Sequence, residues 1–223
     1  MPPRKKPAAE GDSIVVIRPA HIVRTTLHIK GTAPLVQNKF SQKAREMMMD
    51  TMSRTKANKK TKSEREPRDF VEDFLAAQHR MSDGSYGVPC TAFRAAMIDA
   101  CRAAGLEMTR TKLALFVVPD GFDVDDGTPL VRLIANDPER IESAVRNASG
   151  VADIRSRPIW REWEINITID FDADMITPDS VVNLLDRAGR QVGIGEGRPF
   201  SKKSVGQGWG TFIVETLVQE TVE

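Results

Sequence analysis

The chain has 223 residues, 40% hydrophobic and 28% charged, which suits one large domain or two small ones with a packed core and a well-solvated surface. Its 32 Lys and Arg against 31 Asp and Glu leave a net charge of +1, so bulk attraction to nucleic acid is excluded and any such partner must be met by a local clustering of charge. No apolar run approaches the roughly 18 residues of a membrane-spanning helix, and no membrane partner is expected.

Residues 1–20 open as MPPRKKPAAEGDS, basic and Pro-rich with no apolar segment behind it. That is unlike a secretory signal and predicts a flexible tail on a cytoplasmic protein. The remainder, 21–220, is expected to form a single domain. Its first element is IVRTTLHIKG (22–31), whose alternation predicts a strand. Val23, Thr25, Leu27 and Ile29 form the buried face, and Arg24, Thr26, His28 and Lys30 a basic, exposed one.

Residues 37–68 begin as a helix, capped by Ser41 and carrying Met47, Met48 and Met49. From Ser53 to Arg68 they lose almost all apolar content, which predicts a mobile basic segment with Lys56, Lys59, Lys60 and Lys62. Helical spacing returns over 69–79 through Phe70, Phe74 and Leu75. The segment VPCTAFRAAMIDACRAAG (88–105) predicts a helix with Thr91 as its cap. Phe93, Met97, Ala100, Cys101 and Ala104 make its apolar stripe, and Gly105 ends it. Cys90 and Cys101 lie too far apart along it for a disulfide and read as small buried residues, consistent with an intracellular chain. His21, His28 and His79 have no metal-ligand spacing, and no metal or cofactor is expected.

KLALFVV (112–118) is apolar on both faces and predicts a central strand. PDGFDVDDG (119–127) reads as a solvated acidic hairpin, since a calcium loop needs a fuller ligand series. Asp137 and Pro138 are expected to start a short helix running towards Gly150. The basic segment VADIRSRPIWR (151–161) follows, extended. EWEINITIDF (162–171) alternates cleanly as a strand, with Trp163, Ile165, Ile167, Ile169 and Phe171 on one face. Thr177 and Pro178 then begin a helix expected to stop at Gly189, and GTFIVETLV (210–218) is the last strand. With two insertions set aside, 37–88 and 119–160, the order is β-α-β-β-α-β. This is an α+β, ferredoxin-like (RRM-like) palm with two helices on one face of a four-stranded antiparallel sheet.

The stretch VGIGEGRPFSKKSVGQGWG (192–210) follows a helix and precedes a strand, the reverse of a dinucleotide fingerprint. It lacks the Walker spacing as well, so ATP binding is not expected. Two readings stand. Gly193, Gly195 and Gly197 permit close backbone approach, and with Arg198, Lys202 and Lys203 they offer amides and cations to phosphate. Alternatively the glycines serve packing alone.

The element order, the helix opening GVPCTAFRAAM (87–97) and LLDRAGRQVGIGEGRP…GQGWGTFIVE together resemble the RAMP superfamily, in particular the repeating backbone subunits of CRISPR effector complexes or a phage or mobile-element relative. The resemblance implies a hand-like palm whose copies stack into a helical filament on single-stranded guide RNA, with other effector subunits as further partners. By position it implies backbone contacts from Thr91 and Arg94 at the helix start. It adds Gln37, Asn38, Lys39 and Ser41 in the loop after the first strand, with Lys43 beside them. Arg155, Arg157 and Arg161 fall on a thumb-like insertion, where Trp160 is a candidate for base stacking, and Gly193 to Lys203 form the glycine-rich loop. Residues 31–41 hold no Asp or Glu, so cleavage of a bound target is not expected. Three functions follow: a non-catalytic binder of single-stranded RNA or DNA that assembles with copies of itself, using also Arg24, His28 and Lys30; a metal-independent ribonuclease using His28; or a structural protein of a phage or bacterial assembly.

Overall fold

The computed structural model describes residues 18–40, 42–53, 69–146, 152–200 and 206–218. In chain order the elements are β1 (Ile22–Gly31), β2 (Leu35–Val36), α1 (Gln42–Ser53), α2 (Phe70–Ala76), β3 (Gly87–Pro89), α3 (Cys90–Ala104), α4 (Met108–Ala114), β4 (Leu115–Val118), β5 (Gly121–Phe122), β6 (Pro129–Arg132), β7 (Glu139–Arg146), β8 (Ala152–Trp160), β9 (Glu164–Asp172), α5 (Pro178–Gln191) and β10 (Phe212–Val218).

β1, α3, β4, β9, α5 and β10 reproduce the β-α-β-β-α-β order. Their strands form one antiparallel sheet in the order β10-β1-β9-β4, the ferredoxin-like arrangement. Alternation drives it. Leu27 and Ile29 on β1 and Ile165, Ile167, Ile169 and Phe171 on β9 are fully buried, facing Phe93, Met97 and Cys101 of α3 and Val181, Leu184, Leu185 and Ala188 of α5. Each such aliphatic or aromatic side chain contributes about 1.5–3 kcal/mol of apolar burial. Cys90 and Cys101 are free thiols inside this core, and burial pushes the Cys90 thiol up to about 11.

Several boundaries differ from the sequence reading. Lys112–Ala114 belong to α4, and β4 begins only at Leu115; it is an edge strand, so Phe116 on its outer face is half exposed. Residues 139–146 form a strand, not a helix. β7 pairs with β8 along its whole length, and cross-strand pairing overrides the helical start signal of Asp137-Pro138. α3 has Pro89 at its N-cap with no side-chain cap bond, so Thr91 sits exposed inside the first turn. Gly105 ends that helix in the left-handed conformation as expected. Thr177 caps α5 by accepting from the Ser180 amide, but the helix passes through Gly189 to Gln191. Gly189 is there for contact: a Cβ would collide with the Phe212 carbonyl and ring. Asp69 caps α2 by accepting from the amides of Val71 and Glu72. Among the described residues no helix is long and apolar enough to cross a membrane, and no group of His, Cys, Asp and Glu is placed to hold a metal ion.

Candidate nucleic-acid interface

The open face of the main sheet is charge-matched rather than basic. Arg24 donates twice to Asp170 at 2.7 and 2.8 Å, directly across the β1–β9 pair. His28 Nδ1 meets Asn166 Oδ1 at 2.8 Å and its Nε2 lies 3.5 Å from Glu164, which also sits 3.5 Å from Lys30 Nζ. Thr26 and Thr168 share a hydroxyl hydrogen bond between these rungs. The antiparallel register sets each cation of β1 beside an acid or amide of β9, which corrects the expected basic surface.

Parts of three of the four segments named by the resemblance meet around one cleft, which none of Thr91, Arg94 and the thumb-like 151–161 lines. An open cleft of about 460 Å³ is walled by Leu35, Gln37 and Asn38 after β1, by Val88, Pro89 and Ala92 at the start of α3, by His79, and by Gly195, Glu196, Gly197 and Arg198. The glycine stretch is held against the β1–β2 region by main-chain bonds. Gly210 N donates to Pro34 O at 2.7 Å, Ile194 N to Gly210 O at 2.9 Å and Glu196 N to Val36 O at 2.9 Å. Gly195 has φ +77°, and a Cβ there would stand 2.5 Å from the Val36 carbonyl oxygen. Glycine is thus required for close approach, and that same approach delivers residues 195–198 to the cleft wall. Close packing therefore accounts for Gly195, and it fixes residues 195–198 in the cleft wall.

Inside the cleft, Asn38 is exposed, and Arg198 donates to the Gly195 carbonyl at 3.0 Å while lining the wall. The amides of Gly195 and Gly197 donate to no protein acceptor among the described residues. The first turn of α3 adds its uncapped N-terminal end. Glu196 is the acid of the wall, and its charge is met by Arg157 Nε at 2.7 Å.

Other expected contact residues are committed elsewhere. Lys39 is buried, with its ammonium 2.6 Å from Asp123 and 2.5 Å from Asp125, so it is a structural ion pair and not a surface cation. Burial opposes its charge, but the two carboxylates outweigh that and raise its pKa. Gln37 is buried as a clip: its Nε2 donates to the Gly87 carbonyl and its Oε1 accepts from the His79 amide. Arg157 is 7% exposed and spent on Glu196 and on the Ser156 carbonyl. Trp160 is 2% exposed and packs edge-on to Tyr86 at 5.4 Å, so it stacks in the core and not on a base.

Arg94 donates to the carbonyls of Leu115 and Lys112 and lies over the Phe116 ring, tying α3 to the start of β4. Arg155 pairs with Asp153, and Arg161 with both oxygens of Glu139, on the β7–β8 hairpin. Gly193 donates its amide to the Ala188 carbonyl, closing α5. Ser41, Lys202, Lys203 and the basic run Lys56, Lys59, Lys60 and Lys62 lie outside the described residues, as does the side chain of Lys43.

A polar cluster unanticipated in the sequence sits behind the cleft. Asp123, fully buried, accepts from Lys39 Nζ, from the Asp125 amide at 2.9 Å and from His79 Nδ1 at 2.8 Å. Burial would raise the Asp123 pKa, but these three donors lower it on balance. Burial lowers that of His79, against the pull of Asp123. Arg45 reaches Asp126 at 2.8 Å, so the acidic turn 123–126 and the basic segment 39–45 are complementary. That sign match is the one signal in the sequence that pairs these segments.

The main sheet, its two helices and the inserted β-hairpins define an α+β protein built on a ferredoxin-like palm. No family model matches the sequence, and no curated protein matches it. Among solved structures the chain is similar to a chain in the cryo-EM structure of the Type III-B Cmr-beta bound to cognate target RNA, with a TM-score of 0.45 and 10% identity. The match covers 88% of this chain and 60% of that one, so this chain spans less than two thirds of that protein's length.

Proposed function

We propose that the protein is a sequence-tolerant, non-cleaving binder of single-stranded nucleic acid, RNA before DNA, that grips one stretch of sugar-phosphate backbone in the cleft. The observation that carries this reading is the meeting of three chain-distant segments, 35–38, 88–92 and 195–198, around one open cleft. Together they supply two unspent glycine amides, a helix N-terminus, an exposed amide side chain and one guanidinium, the donor set that phosphate oxygens accept from. The segments are those that the likeness to RAMP backbone subunits implies, and stacking of copies along a strand belongs to the same proposal. A non-cleaving role is supported by His28, whose ring nitrogens are engaged by Asn166 and Glu164 rather than presented to a substrate.

Because the cleft offers mostly neutral donors, the described residues neutralise about one phosphate per copy through Arg198. Binding of a fluorescent single-stranded RNA, followed by anisotropy across a salt series, tests this. Replacing Arg198 by Ala reduces the slope of log K against log salt by about 0.7, the value for one phosphate contact on a single strand. An unchanged slope, or no binding at any salt concentration, overturns the assignment.

A further inference from the structure

His79 stands in the wall of the cleft and belongs to none of the phosphate-binding elements described above. Its placement is fixed from both sides. The His79 amide donates to Gln37 Oε1 at 3.1 Å, and its carbonyl accepts from the Gly87 amide at 3.1 Å. Its ring Nδ1 lies 2.8 Å from Asp123 Oδ2. Asp123 also accepts from Lys39 Nζ and the Asp125 amide, so it is an ionised carboxylate with no proton to give. The proton in the His79–Asp123 hydrogen bond therefore sits on Nδ1. Nε2 has no protein partner among the described residues, and in the neutral ring it carries a lone pair. Desolvation of the ring, reinforced by the nearby Lys39 ammonium and opposed by Asp123, keeps that neutral form favoured.

We infer that His79 Nε2 accepts a hydrogen bond from the ribose 2′-hydroxyl of the bound strand, making this cleft selective for RNA over DNA. The groups argued to meet phosphate act as donors: the amides of Gly195 and Gly197, the Asn38 side-chain amide, Arg198 and the N-terminal end of α3, while the one carboxylate of the wall, Glu196, is paired with Arg157. An acceptor among donors does not suit a phosphate oxygen. It suits a hydroxyl, and the 2′-hydroxyl is the donor that distinguishes ribose from deoxyribose beside the phosphate. The Lys39–Asp123–His79 relay thus gives a purpose to a buried charge network at a sheet corner: it locks the tautomer that presents the acceptor.

This inference rests on the proposed strand-binding role, and the test separates the two. Anisotropy is measured with oligouridylate, its 2′-O-methyl form and oligodeoxyuridylate of equal length, on the whole protein. The wild type binds oligouridylate about 3- to 10-fold tighter per occupied cleft than either analogue, the worth of one hydrogen bond. His79→Phe abolishes that preference, so that folded His79→Phe binds all three strands within about 2-fold of one another. His79→Gln, which keeps an acceptor, retains part of it. Circular dichroism establishes that the variants are folded, and the wild-type comparison of the three strands needs no variant. Equal wild-type binding of all three strands overturns the inference and leaves the strand-binding role standing, as does a preference that survives in folded His79→Phe. Failure to bind any strand overturns both.

Discussion

Replacing Lys39 with Met separates a structural ion pair from a nucleic-acid contact. The Lys39 side chain is 4% exposed and that of Asp123 is not exposed at all, so Met fills the aliphatic volume while stranding a buried carboxylate. Asp123 retains the Asp125 amide and His79, but loses its formal counter-charge. Breaking a buried pair from one side costs about 3–5 kcal/mol. With a urea dependence of about 2–3 kcal/mol per molar for a chain this size, the unfolding midpoint falls by about 1–2.5 M. Adding Asp123→Asn to Lys39→Met recovers part of the loss, because the uncompensated charge is gone. Urea titrations of the wild type, both single variants and the double variant, followed by far-UV circular dichroism, read these values. A Lys39→Met midpoint within about 0.2 M of wild type, together with a large loss of RNA affinity, refutes the ion-pair account and returns Lys39 to the binding surface.

Gly195→Ala and Gly208→Ala share a positive φ but differ in their surroundings: the first Cβ lies 2.5 Å from the Val36 carbonyl, while the second meets nothing within 4 Å. Thermal melts therefore show a loss of about 1–2 kcal/mol for Gly208→Ala and a larger one for Gly195→Ala; equal losses contradict the packing role of Gly195. Arg24→Ala and Lys30→Ala change RNA affinity by less than about 2-fold in anisotropy titrations, because each charge is already matched on β9. Acid sensitivity follows from two depressed pKa values. His79 resists protonation when folded, so its contribution is full above its unfolded value of about 6.5 and is lost as pH falls through its lower folded value; that of Asp123 is lost only at still lower pH, beneath the ordinary carboxylate range. Stability measured by urea titration falls between pH 7 and pH 5 in the wild type, and His79→Gln flattens that portion of the curve.

The palm was legible because its signals are local. Period-two alternation in β1 and β9, the apolar stripe of α3 and the Thr177-Pro178 start of α5 each lie within one short window, and burial follows the same alternation. Neighbouring segments whose fate depends on distant partners were not. Glu139–Arg146 becomes a strand because β8 lies beside it, and Lys112–Ala114 joins a short helix before an edge strand. At the site, positions were easier to read than roles. Asn38, Gly195, Gly197 and Arg198 line the cleft, yet Lys39, Arg157 and Trp160, equally attractive by residue type, turn inward, and Gln37 stands in the wall with its amide spent on Gly87 and His79. Alternation explains part of this. Gln37 and Lys39 are buried while Asn38 and Phe40 are exposed, a period-two pattern that begins only past β2, whose own two residues are both buried. The basic face of β1 was misread for a similar reason: Asp170, Asn166 and Glu164 were in view on β9, but the register that pairs them with Arg24, His28 and Lys30 was not.

The central claim is that a strand's backbone lies in the cleft and not across the open sheet. Photo-crosslinking of a 4-thiouridine-substituted RNA to the protein, with the attached peptides identified by mass spectrometry, tests it most directly. The account predicts adducts on the segments around Asn38, Ala92 and Gly195–Arg198, and none on Phe116, exposed on β4 beside the sheet's open face. Adducts concentrated on Phe116 and the strands β1 and β9, with the cleft segments unlabelled, contradict it.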